Sequence, residues 1–297
     1  MIVITAPTGN IGSRVLDILL ETSTRSEELR VIVRDPAKLP EAARERVDII
    51  TGSHRDADVV DRAFDGADAV FWLAPPDLHA PSLDSVYTGF TRAAAKAFTT
   101  HQVGHVVSVS SLGRGTPLAD HAGHVTASLA MDDLIASTGV AYRTLTNPSF
   151  MDNLLWQAIP IRDNGVFTGT LDADHKSPTV AIRDIAAAAA RLLLDRTWTG
   201  TGEIPLLGPA DLSPNEMAHT MSEVLGRPVR YQQQTLEDLR AGFIARGVGD
   251  AIADAYVDMM RAKGDGIDDG YPRTDPTLSP TSFREWCEQS LAPAVRA

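Results

Sequence analysis

The sequence predicts an α/β fold with a doubly wound parallel sheet and a smaller, mostly helical C-terminal lobe. Short apolar runs alternate with amphipathic helical segments along the first two thirds of the chain. These runs are rich in Val, Ile and Leu, which is typical of parallel strands buried on both faces. The alternation stops near Gly208, and the remainder reads as helices separated by Gly- and Pro-rich stretches. This change predicts the second lobe.

Each predicted element follows from its periodicity. Strands are expected at Ile2–Thr5, Leu29–Val33, Val47–Thr51, Ala69–Ala74, His105–Ser110, Tyr142–Thr146 and Glu203–Leu207. Helices between them are expected at Ile11–Glu21, Ala57–Phe64, Ser85–His101, Val125–Thr138 and Ile182–Asp195. The C-terminal helices are expected at Ser213–Leu225, Leu236–Gly242, Asp250–Lys263 and Ser282–Ser290. The third of the chain after Gly208 opens with a capping box, in which Ser213 is the N-cap and Glu216 its partner.

The resulting domain prediction has two parts. Residues 1–150 plus about 179–208 form the sheet domain, and about 151–178 plus 209–297 form a substrate-side lobe. A chain of 297 residues with 43% hydrophobic residues is long enough to bury a large core in this way.

Charge and cysteine content narrow the class of protein. The net charge is −12, and no dense run of Lys or Arg occurs, which disfavours direct nucleic-acid binding. No apolar run approaches membrane-spanning length and no signal peptide precedes the first strand, so we expect a cytoplasmic protein without a membrane partner. The single cysteine, Cys287, has no partner for an intrachain disulfide and is expected to be packed rather than nucleophilic.

The turn after the first strand predicts a phosphate-binding loop. Ala6, Gly9 and Gly12 have the spacing G-x-x-G-x-x-G, with Ala in the first slot. A strand precedes the turn and a helix follows it, as in the dinucleotide-binding Rossmann fold. Backbone N–H groups and the helix N-terminus can then approach a pyrophosphate. The alternative is an ordinary Gly-rich βα turn. The expected cofactor contacts here are Thr8, Gly9, Asn10, Ile11 and Gly12.

The ends of the later strands predict the remaining cofactor contacts. Arg34 directly follows the second strand, where a basic side chain suits the 2′-phosphate of NADP(H) rather than the free hydroxyl of NAD(H). The alternative is a solvated surface arginine, for which the adjacent Asp35 is one potential partner. Ligands of such sheets lie over the carboxyl ends of the strands. We therefore expect the nicotinamide half of the cofactor to contact Ala74, Pro75, Ser110, Asn147, Pro148 and Phe150.

Several segments together resemble a known family. They are residues 5–12, 33–38, 66–70, 73–76, 107–113 and 144–153, followed by the helix start at 182–186. In this order they resemble the NmrA-like group of atypical short-chain dehydrogenases/reductases. The resemblance implies a Rossmann domain that binds NADP(H) in a cleft against a small C-terminal lobe. That family includes quinone and azo-compound reductases, isoflavone-reductase relatives, and redox sensors that bind the dinucleotide without obvious turnover.

The expected proton-transfer residues depart from the pattern of typical short-chain dehydrogenases, which use Tyr-x-x-x-Lys. Residues 113–135 contain neither Tyr nor Lys. The NmrA-like pattern often has His-x-x-x-Lys in this helix, whereas here His124 is followed by Ser128. The candidate catalytic residues are His124, Ser128 and Ser110, with His121 as a second histidine. The alternative for His124 is a solvent-exposed histidine at a helix start.

These observations lead to three functional hypotheses. The first is an NADPH-dependent oxidoreductase that reduces a small conjugated or aromatic acceptor, with quinones as the leading class, by direct hydride transfer. The second is a non-catalytic NADP(H)-sensing protein that binds a regulatory partner. The third is a tailoring reductase or isomerase of secondary metabolism. A small-molecule substrate, a possible homo-oligomer and no metal site are expected, because the histidines lack metal-ligand spacing.

Overall fold

A computed structural model describes residues 1–22 and 27–297 of the chain. Its strands are β1 Ile2–Ile4, β2 Leu29–Val33, β3 Asp48–Thr51, β4 Ala69–Trp72, β5 His105–Ser111, β6 Ala141–Asn147, β7 Ser149–Phe150, β8 Val166–Gly169, β9 Ser177–Val180, β10 Thr201–Pro205, β11 Asp211–Leu212 and β12 Arg230–Gln233. Seven of them form one sheet in the order β10-β6-β5-β4-β1-β2-β3.

The helices lie between and after these strands. They are α1 Asn10–Thr22, α2 Glu41–Arg44, α3 Ala57–Phe64, α4 Leu83–Val86, α5 Thr88–Thr100, α6 His124–Ala136, α7 Ala158–Asn164, α8 Ile182–Leu194, α9 Pro214–Leu225, α10 Leu236–Ala245, α11 Asp250–Gly264, α12 Phe283–Trp286 and α13 Ala292–Arg296. Short 3₁₀ helices cover residues 36–38, 119–121 and 151–157, and a π-helical turn covers 287–291.

The sheet has the strand order of a doubly wound dinucleotide fold, which confirms the predicted fold class. The pairs β1–β2, β1–β4, β2–β3 and β4–β5 are parallel. Ile4 at the end of β1 stands opposite both Val31 and Phe71. The chain therefore reverses its direction of winding at β1, and the crevice over the carboxyl ends of β1 and β4 is the place where this fold accepts ligands.

Most predicted elements are present, with small shifts at their ends. The strand Leu29–Val33 and the helix Ala57–Phe64 agree with the prediction at both ends. The helix predicted at Ser85–His101 is two helices, α4 and α5, because Tyr87 leaves helical geometry with φ −110° and ψ −87°. The predicted capping box of α9 is confirmed: the Glu216 amide donates to Ser213 Oγ, and the Ser213 amide donates to the Glu216 carboxylate.

The chain divides into two compact units. The first comprises residues 1–110, 127–146 and 185–204, and the second comprises 111–126, 147–184 and 205–297. Residues 111–126, which the sequence analysis assigned to the sheet domain, belong here to the second unit, since their backbone hydrogen bonds and packing involve residues of that unit. The domain boundaries inferred from sequence stay a prediction.

Each unit has its own hydrophobic core. In the first unit, the aromatic side chains of Phe64, Trp72, Phe90 and Phe98 pack against one another on one face of the sheet. In the second unit, Phe283 and Trp286 stack beside the fully buried Cys287. The second unit also contains two small sheets, β12-β8 and β11-β9-β7.

Candidate cofactor-binding site

The loop after β1 is tied to the end of β4 through a threonine. Thr5 is fully buried, and its hydroxyl donates to the Phe71 carbonyl over 2.9 Å. The same oxygen accepts from the Leu73 amide at 3.0 Å. A buried hydroxyl that both donates and accepts satisfies two backbone groups where the neighbouring strands end. It therefore fixes the two sides of the ligand crevice relative to each other.

The turn itself is closed by contacts that only small residues permit. Ala6 has φ +49°, a left-handed conformation that glycine adopts more easily, and its carbonyl accepts from the Gly9 amide at 3.0 Å. A Cβ at Gly12 would lie 2.1 Å from that same carbonyl oxygen, whereas a Cβ at Gly9 would lie 3.3 Å away. Gly12 is thus required by the close approach of helix α1 to the loop, as the pattern of small residues predicts.

The surface of this loop is open where a phosphate is expected. Thr8 and Asn10 are exposed, Gly9 is partly exposed, and α1 begins at Asn10. Ile11 is buried and packs inward, so its predicted contact is limited to its backbone. The N-terminal amides of a helix of this length, placed beside a turn without bulky side chains, are suited to binding a pyrophosphate. These residues fit the group that the sequence predicts.

Arg34 is exposed directly after β2. Its neighbour Asp35 is engaged elsewhere: the carboxylate accepts from the Ala37 amide at 3.0 Å and caps the 3₁₀ helix of residues 36–38. Within residues 1–22 and 27–297, no ion pair involves Arg34. The pairing with Asp35 is therefore absent from this structure, whereas the exposure of Arg34 is compatible both with a surface arginine and with the predicted contact to a 2′-phosphate, which stays a prediction.

His54 is a residue of this region that the sequence analysis did not select. It follows β3, is 8% exposed, and its Nε2–H donates to the Leu73 carbonyl over 3.0 Å. The ring meets Trp72 and Phe90 edge-on. Burial, and to a smaller extent the positive charge of Arg34, lower the pKa of His54 to about 4 although the hydrogen bond to the Leu73 carbonyl acts in the opposite direction, so the ring is neutral at pH 7. Its place at the carboxyl end of a strand was the signal that could have identified it.

The predicted contacts beyond β4, β5 and β6 differ in their exposure. Ala74 and Pro75 are partly exposed, while Ser110, Asn147 and Pro148 are buried. In the second unit, the Asn147 carbonyl accepts from the Leu112 amide at 3.2 Å. Phe150, partly exposed in β7, pairs with Val180 of β9. Their cofactor contacts stay predictions.

His124 is not the solvent-exposed histidine that the sequence analysis considered as an alternative. It is 9% exposed at the start of α6, and its ring lies 4.3 Å from that of Tyr256 in α11. Burial lowers its pKa to about 4, although a hydrogen bond to the Ile252 carbonyl acts in the opposite direction. A neutral imidazole is a weak proton donor at pH 7. Ser128, one turn further along α6, is also buried, and His121 is exposed.

Tyr142 is committed to a buried polar cluster in the first unit. Its hydroxyl donates to Asp132 at 2.5 Å and lies 2.5 Å from Ser108 Oγ, and Thr144 donates to the same carboxylate at 3.3 Å. Burial and the neighbouring carboxylate raise the pKa of Tyr142 well above its usual range. This cluster joins α6 to the sheet and does not replace the missing Tyr-x-x-x-Lys pair.

In the described part of the chain, no group of three or more His, Cys, Asp or Glu side chains could hold a metal ion. None of the helices formed by those residues is long and apolar enough to cross a membrane.

Comparison with known proteins agrees with the geometry of the loop and sheet. The sequence pattern of the family described as NAD(P)H-binding matches residues 7–196. This chain belongs to that family. The match confirms the inferred relationship to NmrA-like, atypical short-chain dehydrogenases/reductases, and NAD(P)H is the cofactor type of the family.

Several proteins that are similar over nearly the whole chain are reductases. The NAD(P)H azoreductase of Xenophilus azovorans is 28% identical over 99% of this chain and 98% of its own. Quinone oxidoreductase 2 of Escherichia coli is 28% identical over 91% of both chains. A crystal structure of the NADPH-dependent quinone oxidoreductase from E. coli superimposes with a TM-score of 0.77 at 25% identity, covering 96% of this chain and 98% of that one. Citrobacter sp. triphenylmethane reductase complexed with NADP(H) shares the fold, with a TM-score of 0.81 at 20% identity over 99% of this chain and 100% of that one.

Proposed function

We propose that this protein is an NADPH-dependent reductase of small conjugated or aromatic acceptors, with quinones as the leading class and azo compounds as the second. The observation that carries the proposal is the loop between β1 and α1. The turn closes around the Ala6 carbonyl, and helix α1 approaches that carbonyl closely because Gly12 has no side chain. The helix begins at the exposed Asn10. These three features fit the pyrophosphate of a dinucleotide.

The preference for NADPH over NADH rests on Arg34. A guanidinium at the end of β2, exposed and without an anionic partner among the described residues, suits a 2′-phosphate. An NAD-specific site of this fold has an acidic side chain in the same region, and here Asp35 is used to cap the following turn.

The acceptor class follows from the chemistry that the chain can support. When bound, the cofactor supplies a hydride, so the protein has to orient the acceptor and manage one proton. His124 is buried and neutral, and residues 113–135 contain no Tyr or Lys. Quinones need little acid assistance because the reduced oxyanion is stabilised by the ring. The similarity to proteins named azoreductase and quinone oxidoreductase supports the same classes.

A turnover panel tests this proposal. Oxidation of NADPH and of NADH is followed with quinones, azo compounds, enones, imines and ketones, with the Gly12→Ala variant as a control for the cofactor site. We expect quinone or azo turnover that is faster with NADPH and absent in the variant. Tight NADPH binding without turnover of any acceptor would contradict the enzymatic function.

That last outcome would favour the second candidate, a protein that senses NADP(H) and binds a partner. The observation behind it is the position four residues after His124, where Ser128 occupies the place of the lysine. This candidate requires that NADPH change the set of proteins retained by the immobilised chain, and an identical set with and without NADPH would exclude it. The third candidate, a tailoring reductase or isomerase, is distinguished by turnover of enones or imines but not of quinones.

A further inference from the structure

A histidine links the ends of two strands that are not neighbours in the large sheet. His54 follows β3, and its Nε2–H donates to the carbonyl of Leu73, directly after β4, over 3.0 Å. In the sheet order, β1 and β2 lie between β3 and β4, which separates these two strands by about 14 Å. The segment after β3 therefore runs along the carboxyl edge of the sheet, where this fold binds its ligands. All of these residues belong to the first compact unit.

The same segment is tied to the end of β2, where Arg34 lies. The Gly52 amide donates to the Val33 carbonyl at 3.0 Å, and Arg34 is the next residue of the chain. Gly52 has φ +150°, and a Cβ on it would lie 2.5 Å from Val59 Cγ2 of α3, so the segment is closely packed at this point. The segment thus connects the strand end that carries Arg34 to the end of β4.

This connection matters because β1 is shorter than its two neighbours. The pairing of β1 with β2 reaches Ile4 and Val31, whereas β2 continues to Val33. On the other side of β1, the Thr5 hydroxyl accepts from the Leu73 amide at 3.0 Å and so holds the end of β4. The last residues of β2 therefore extend beyond the ladder with β1. The link through the histidine connects them to the end of β4.

The ring of His54 is held in one orientation by aromatic neighbours. It is buried, and it meets Trp72 edge-on at 5.3 Å and Phe90 edge-on at 4.9 Å between ring centroids. Burial lowers the pKa of His54 most strongly, the charge of Arg34 adds to this, and the hydrogen bond to the Leu73 carbonyl acts in the opposite direction. The ring is thus neutral at pH 7 and close enough to Arg34 to experience its charge.

We propose that His54 is a positioning residue for cofactor specificity, which holds the strand end carrying Arg34 in the place that a nucleotide 2′-phosphate requires. The proposal rests on the proposed preference for NADPH, in which Arg34 binds that phosphate. A guanidinium on a fixed backbone loses less conformational entropy on binding than one on a mobile backbone. Without the hydrogen bond from His54, the end of β2 gains freedom and the phosphate contact weakens. The contacts shared with NADH depend on the loop after β1 and change less.

His54→Phe tests the proposal, because a phenyl ring keeps an aromatic side chain at this position but cannot donate to Leu73. His54→Gln is the rescue variant, since its side-chain amide can donate in place of Nε2. His105→Phe is the matched control. Nε2 of His105 also donates to a backbone carbonyl, that of Trp198, over 3.1 Å, and the two rings meet edge-on. His105 begins β5, so it lies at the opposite edge of the sheet.

Titration calorimetry measures the dissociation constants of NADPH, NADH and adenosine 2′,5′-bisphosphate, which carries only the adenosine half of the cofactor. We expect His54→Phe to weaken binding of NADPH and of the bisphosphate by about 10-fold, and binding of NADH by less than about 3-fold. His54→Gln and His105→Phe should bind all three as the wild type does. A merely structural role of His54 would lower the affinities for NADPH and NADH equally.

A double-variant cycle with Arg34→Ala shows whether His54 acts through the arginine. In Arg34→Ala protein, the added His54→Phe change should alter NADPH affinity by less than about 2-fold, because no guanidinium is left to position. Urea denaturation of each variant shows whether it is folded. If His54→Phe is unfolded, His54→Leu takes its place in the same measurements.

The possible failures are distinguishable. Equal losses for NADPH and NADH, or a 10-fold loss that persists in the Arg34→Ala protein, would overturn the role of His54 alone. If the wild type binds NADPH and NADH equally, the proposed cofactor preference fails and the role of His54 fails with it. If the variants behave as expected but the wild type reduces no acceptor, the proposed reductase activity fails and the role of His54 in nucleotide binding stands.

Discussion

Ala6 and Gly12 show how two small residues determine the geometry of the cofactor loop. Ala6 adopts φ +49°, which costs an alanine about 1 kcal/mol relative to ordinary backbone conformations. Its carbonyl is then turned towards the start of α1, where Gly12 leaves room for it. The turn therefore needs both the left-handed backbone of Ala6 and the absence of a side chain at Gly12.

The Gly12→Ala substitution should therefore abolish NADPH binding and lower stability. The new Cβ would lie 2.1 Å from the Ala6 carbonyl oxygen, so α1 has to move away from the loop. Gly264→Ala at the end of α11 is the control, because a Cβ there would meet no atom within 4 Å and the residue lies outside the loop. Titration of both variants with NADPH, followed by nucleotide fluorescence, checks this. Equal losses in both would show that the contact at Gly12 is not decisive.

Arg34→Ala should weaken NADPH binding by about 10- to 100-fold, as expected for the loss of a charge-assisted hydrogen bond to phosphate. NADH binding should change little, because NADH has no 2′-phosphate. Arg44→Ala removes an exposed cation from the nearby helix α2 and serves as the control. Dissociation constants for both nucleotides provide the test, and the same loss for NADPH and NADH would exclude Arg34 as the reader of the 2′-phosphate.

The sequence places Arg34 and the loop glycines at strand ends, but it did not predict that His54 and His124 are buried. Position along the chain is enough to place a residue at a strand end. Burial depends on side chains from distant segments: Trp72 and Phe90 cover His54, and Tyr256 covers His124. For this reason a solvent-exposed His124 was a reasonable alternative from sequence and is wrong in the structure.

At the scale of elements, the sequence correctly predicted features that depend only on a few consecutive residues. The capping box of α9 is one example. Ser213 is 3% exposed and caps the helix through the Glu216 amide. Ser213→Ala should lower the free energy of unfolding by about 1 kcal/mol, because the capped amide loses its acceptor. Ser213→Thr keeps the hydroxyl and should restore most of the loss.

Urea denaturation of the two Ser213 variants measures this difference. If alanine and threonine destabilise equally, the loss comes from packing around Ser213 and not from the cap.

The sequence analysis did not predict strands whose pairing partner lies far away along the chain. The strands β8 and β12 pair in parallel although more than sixty residues separate Val166 from Arg230. Both are four residues long, and β12 consists of polar residues and one tyrosine, so neither has the apolar alternation that predicts a strand. The break at Tyr87 between α4 and α5 was missed because the helical periodicity continues across it in sequence.

At the scale of the whole molecule, each compact unit contains a buried neutral histidine, and this predicts how stability changes with pH. The pKa values of His54 and His124 are lowered from 6.5 to about 4, so the unfolded chain binds more protons than the folded one between those values. The linked stability is fully present above pH 6.5 and is lost as pH falls towards 4. Each histidine contributes about 3 kcal/mol to this loss.

Urea midpoints measured at pH 7 and pH 5 test this expectation. We expect the difference between the two midpoints to be smaller in His54→Gln, where an amide can still donate to the Leu73 carbonyl but does not titrate in this range. His219→Gln is the control, since its side chain is 75% exposed and its change should leave the difference unaltered. A wild-type protein equally stable at both pH values would contradict the prediction.

The sequence by itself determined the parallel sheet, the order of its helices and strands, the turn of small residues after β1 and the basic residue after β2. These features follow from local periodicity, glycine spacing and the position of residues next to strand ends. Only the tertiary structure decided which polar side chains are buried and which distant residues meet. It engaged Asp35 in a cap beside Arg34, enclosed His124 against α11 and joined His54 to the end of β4. Such contacts arise from packing between segments far apart in the chain, and no local pattern of residues encodes them.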